Sequence, residues 1–124
     1  MAVAINPRPL NDGELGVVQL ILAADFAGAP ELRSQLEFVR VVAQWGEESA
    51  SVDLTVLEGG PRSSVGNGVI PVDASVLDET GELFGEILLW VSDGQLSAIE
   101  YAWYGDEPPR SLPDVELIST SVNA

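Results

Sequence analysis

The residues that could do chemistry lie closest together between Glu100 and Arg110, a stretch that reads EYAWYGDEPPR. Tyr101, Trp103 and Tyr104 fall within four positions, in a chain with only 3 Trp and 2 Tyr. Asp106 and Glu107 follow, and Pro108-Pro109 hold the coil behind them open in advance. This set suits contact. Tyr and Trp offer large area at low entropy cost, and prolines limit what is lost on binding. Strand alternation places Ile99, Tyr101 and Trp103 on one face and Glu100, Ala102 and Tyr104 on the other. Trp90 is out of phase with Ile87, Leu89 and Val91, which puts it beside Leu88 on the opposite face of its strand. The candidate partner-binding residues are therefore Trp90, Glu100, Tyr104, Asp106 and Glu107.

The missing residue types narrow the chemistry further. There is no His and no Cys, and all 5 basic residues are arginine (Arg8, Arg33, Arg40, Arg62, Arg110). That excludes a Ser-His-Asp triad, a thiol nucleophile, a lysine Schiff base, a disulfide and any imidazole or thiolate metal site. A general base would have to be Asp, Glu or Tyr. With 20 acidic residues, carboxylate pairs arise by chance and identify no glycosidase. The reading is a non-enzyme without a cofactor. Only Ca²⁺ or Mg²⁺ could find ligands, and the EF-hand spacing is absent. Asp78-Glu79-Thr80-Gly81-Glu82 reads as a solvated hairpin tip. The glycine-rich loop at residues 59–68 lacks the Gly-Lys-Ser/Thr ending of a phosphate loop. It is expected to be the most mobile segment.

The net charge of −15 repels nucleic-acid phosphates and anionic membranes. The charged partner it favours is a basic protein. A ligand pocket between helices and sheet, lined by the aromatics, is the alternative. Nucleic-acid mimicry, with carboxylates standing in for phosphates, is a third reading. No apolar run reaches the ~18 residues of a membrane span. Met1 to Pro9 lacks the pattern of a secretory leader, so the expected compartment is the cytoplasm.

The elements that must position these residues fit one domain over residues 1–124. Residues 1–10 read as an N-terminal arm with Pro7 and Pro9. Asn11 and Glu14 have capping-box spacing, and Leu15, Val18, Ile21 and Leu22 continue a helix that Gly28 is expected to end. Pro30 opens a second, short helix with Leu32 and Leu36 inward and Glu31, Arg33 and Gln35 outward. The period then becomes two. Strands are expected over Phe38–Trp45, Ala50–Val56, Val69–Leu77, Leu83–Val91 and Gln95–Tyr104. Pro71 demotes the third toward an edge. LFGEILLWV, apolar at nearly every position, reads as central and covered on both faces in part. Asp93-Gly94 is a two-residue hairpin turn. The predicted fold is α+β, with two N-terminal helices packed on a mostly antiparallel sheet of about five strands. A proline-rich tail follows over residues 105–124, with a short piece of structure at Val115–Ile118.

Residues 94–114, GQLSAIEYAWYGDEPPRSLPD, resemble the closing strand and tail of a family of small uncharacterised actinobacterial proteins. Their pattern is roughly G-x-L-S-x-L-E-x-x-W-Y-x-D-x-P-P-x-x-x-P. Ala23-Ala24-Asp25-Phe26-Ala27-Gly28-Ala29 and Ser51-Val52-Asp53-Leu54 are similar to that family as well. The resemblance implies no catalytic residues. A looser likeness, through Ser97 to Tyr104 and the acidic proline coil, is to α+β toxin-immunity proteins. It implies an immunity- or inhibitor-like role.

Overall fold

The computed structural model describes residues 2–123. Helix α1 (Asp12–Leu22) starts where the sequence places it. Asn11 accepts the Glu14 N–H at 2.8 Å, and Glu14 Oε1 accepts the Asn11 N–H at 2.9 Å, so two otherwise unpaired donors are satisfied. Glu14 also binds Arg8 in a two-pronged ion pair at 2.8 and 3.1 Å. Gly28, expected to close α1, instead precedes α2 (Ala29–Ser34). Its φ of 93° is a left-handed turn that glycine adopts without strain, and Pro30 lies in the first turn behind it.

The strands are β1 (Val3–Arg8), β2 (Val39–Gln44), β3 (Val52–Val56), β4 (Gly68–Val69), β5 (Val72–Leu77), β6 (Leu83–Ser92), β7 (Gln95–Trp103) and β8 (Ile118–Val122). They form an 8-stranded antiparallel sheet in the order β1-β2-β3-β7-β6-β5-β8, with β4 paired to β6. The class is α+β as expected, but the count of about five strands is corrected. The N-terminal arm and the tail supply the two edge strands, whose residues are mostly exposed and show no alternation of buried and exposed positions. Pro71 splits the expected third strand into β4 and β5. It does not mark an edge, because β5 lies between β6 and β8. It sits in the break between β4 and β5, where Val72 donates to the Ile70 carbonyl at 2.9 Å.

Both helices pack on one face of the sheet. Val17, Val18, Ile21, Leu22 and Leu32 meet Val39, Val41, Val52, Leu54, Ile87, Leu89 and Ile99 in a single core. β6 is central, but only its Ile87-Leu89-Val91 side is fully buried; Leu88 and Trp90 on the other side are half-buried. The β6–β7 turn carries positive φ at both Asp93 (54°) and Gly94 (75°), which matches the twist of the hairpin it closes. Gln35, expected outside, is fully buried instead. Its Nε2 donates to the carbonyls of Pro61 and Gly94 at 2.7 and 2.8 Å, and its Oε1 accepts the Leu96 N–H at 2.9 Å. Among the described residues no helix is long and apolar enough to cross a membrane.

Candidate functional site

The site begins where two neighbouring strands part. β3 pairs with β7 only through Val52 with Ile99 and Asp53 with Ala98, while β7 runs on to Trp103. The ladder ends on a side chain: buried Ser51 accepts the Tyr101 N–H on its Oγ at 2.9 Å. The Ser51 carbonyl accepts the Trp45 N–H at 3.0 Å, and the chain between them turns away through Gly46-Glu47-Glu48-Ser49. Glu48 takes a left-handed φ of 59° in that turn. The result is a notch beside the far half of β7. The tail closes its outer side with Pro108, Pro109 and Arg110.

This notch is an open cleft of about 680 Å³. Trp45, Trp103 and the two prolines give it flat apolar walls, and Glu47, Glu48 and Glu100 give it negative charge. Two indoles are anchored to carboxylates nearby. Trp45 donates to Asp53 Oδ1 and Trp90 to Glu100 Oε1, each at 2.9 Å. The cleft's cation, Arg110, reaches Glu48 at 3.5 Å with both side chains largely in solvent. Such a pair contributes little, so the carboxylates stay open to other cations.

The aromatic cluster divides between interior and surface. Tyr101 is 4% exposed, Trp103 39% and Tyr104 60%. Tyr101 packs edge-on against Phe84, with ring centroids 6.4 Å apart, and its burial raises the phenol pKa. Trp103 shares the Tyr101 face, yet it stands past the end of β3 and so remains half open. Of the five candidates from sequence, Glu100 lines the cleft and Trp90 touches it through Glu100. Tyr104 lies past the end of β7, its N–H on the Phe84 carbonyl at 2.9 Å. Asp106 and Glu107 are exposed on the tail and do not line the cleft.

Sequence reasoning missed Trp45, Glu47, Glu48 and the cleft role of Trp103 and Arg110. The turn at residues 46–49 and the Pro-Pro coil were each visible, but their meeting needs the sheet order β2-β3-β7, which no local pattern encodes.

The other stretches are occupied by their own folds. Asp78 Oδ1 accepts from the Thr80 N–H and hydroxyl and the Glu82 N–H, and these bonds hold its pKa below the ordinary carboxylate value. Arg62 binds Asp93, and the Ser63 N–H donates to the Gly94 carbonyl at 2.8 Å, so the glycine-rich loop is tied to the β6–β7 turn. Among the described residues no group of three or more acidic side chains is placed to hold a metal ion.

Comparison of the chain with protein-family models, with curated proteins and with solved structures finds no match.

Proposed function

We propose that this chain is a non-enzymatic binding module that recognises a basic protein, with an immunity- or inhibitor-like role. The observation that carries the reading is the cleft between the β2–β3 turn and β7. It joins the flat rings of Trp45 and Trp103 to the carboxylates of Glu47, Glu48 and Glu100, within a chain of net charge −15. A cationic side chain entering there gains aromatic faces and a carboxylate partner together. The wider negative field speeds the encounter, while the buried ring contacts hold the complex.

The uncovered sheet face extends the same surface. Trp90, Leu88 and Glu100 lie on it, half-buried and continuous with the cleft through Glu100. Arginine is the better-suited cation, because a planar guanidinium stacks on a ring while pairing with a carboxylate.

The test is titration with a short arginine-rich peptide, read by tryptophan fluorescence at low and moderate salt. Binding that weakens with salt, and that falls roughly tenfold or more in Trp103→Ala, is the expected result. Absence of binding at low salt, with the folded state verified, would overturn the reading.

A further inference from the structure

The backbone of β7 gives the cleft a second means of recognition. In an antiparallel ladder a residue's N–H and C=O point to the same side, and successive residues alternate sides. Tyr104 donates to the Phe84 carbonyl on the β6 side, whereas Tyr101 donates to Ser51 Oγ on the β3 side. Trp103 therefore directs both backbone groups toward the β3 side, as Tyr101 directs its carbonyl. β3 has no residue opposite them, since its pairing with β7 ends at Val52. Among the described residues nothing bonds to the Tyr101 carbonyl or to the Trp103 N–H and carbonyl on that side. The tail cannot supply the missing donors through Pro108 and Pro109, which have no N–H.

We propose that the cleft is a strand-addition site. An extended, arginine-bearing segment of the basic partner lies antiparallel to Tyr101–Trp103, continuing the line that β3 leaves. This rests on the basic-partner reading above and adds how the partner is held. Main-chain hydrogen bonds to Tyr101 and Trp103 supply part of the affinity, and alternate side chains fall on opposite faces. On one face they meet Glu100, and on the other the Trp103 ring. Charge complementarity selects this occupant over a second copy of the chain, which would bring another −15 against Glu47, Glu48 and Glu100.

The experiment uses the peptide acetyl-Thr-Arg-Val-Arg-Thr-amide and two versions of it, N-methylated at alternate residues in one register or the other. All three carry the same charge, and each methylated version lacks N–H groups on one edge. Binding is followed by tryptophan fluorescence, and hydrogen exchange of the Trp103 amide by NMR. The parent peptide is expected to slow exchange at Trp103, and one methylated version to bind about tenfold more weakly than the other. Equal binding of all three, with no protection at Trp103, would remove strand addition while leaving the basic-partner reading intact. No binding by any of them would remove both.

Discussion

The Trp90 indole donates to Glu100 Oε1 at 2.9 Å, diagonally across the sheet face opposite the helices. Trp90 pairs with Ala98 and Glu100 with Leu88, so the bond spans two residue pairs of the β6–β7 ladder. It fixes the position of a carboxylate that also lines the cleft. Trp90 thus acts on the cleft through Glu100 and does not itself line it.

This relationship separates charge from position. Trp90→Phe keeps an apolar ring and removes only the N–H donor, so stability should fall by about 1 kcal/mol or less. Glu100→Gln keeps the shape and removes the charge. Both variants should bind the arginine-rich peptide more weakly, but only Glu100→Gln should flatten the salt dependence. Denaturant midpoints and peptide titrations at two salt concentrations check this. Wild-type affinity in Trp90→Phe would assign the indole a packing role alone.

Gln35 yields the clearest stability prediction. Its amide joins α2 to the Pro61 carbonyl and to both sides of the β6–β7 turn, through Gly94 and Leu96. Gln35→Leu fills much the same space and leaves the Pro61 carbonyl and the Leu96 N–H without the amide, while the Gly94 carbonyl keeps the Ser63 N–H. A loss of about 3 kcal/mol or more is expected in urea unfolding. A loss near zero would mean that water replaces the amide there.

The same residue shows where the sequence stops being legible. Local signals were sufficient for α1, whose cap uses residues three apart, and for the Asp93-Gly94 turn, whose φ values require those residue types. Trp90 lies beside Leu88 as the alternation requires. Gln35 follows the short helix α2, next to apolar Leu36, and its partners lie as many as 61 residues away. β1 and β8 become strands by pairing with β2 and β5, since their own residues are mostly exposed and carry no period-two pattern. The cleft combines both difficulties, because its walls come from three separated segments and its free backbone groups exist only where one strand outruns another.

Gly85 couples the sheet to the cleft. A Cβ at this position would collide with the Ala102 carbonyl and press on the Trp103 backbone. Gly85→Ala should therefore cost about 1–3 kcal/mol and displace the end of β7, weakening peptide binding as well. Gly46→Ala is the control, since a Cβ there meets nothing within 4 Å although Gly46 also lines the cleft. Its stability should stay within about 0.5 kcal/mol of wild type. Thermal unfolding of both variants decides the matter, and equal midpoints would show that the β6–β7 spacing relaxes freely.

Tyr101 sets an alkaline limit on the fold. Burial of the ring raises its pKa above the ordinary value of 10.0. The folded state then holds the phenol proton more tightly than the unfolded chain does. The resulting stability is fully present below the unfolded pKa and is lost as pH rises through the folded one. Unfolding free energy should hence decline as pH rises above the unfolded value of 10.0, and Tyr101→Phe should reduce that slope. Because Tyr101 lies beneath the cleft and its N–H ends the β3–β7 ladder on Ser51, the loosening should reach that ladder end before the distant β1–β2 edge. Amide exchange at Tyr101, whose N–H is held by Ser51 Oγ, and at Val41, measured across this pH range and corrected for the intrinsic exchange rate, tests the order. Identical pH slopes for wild type and Tyr101→Phe would remove the phenol from the account.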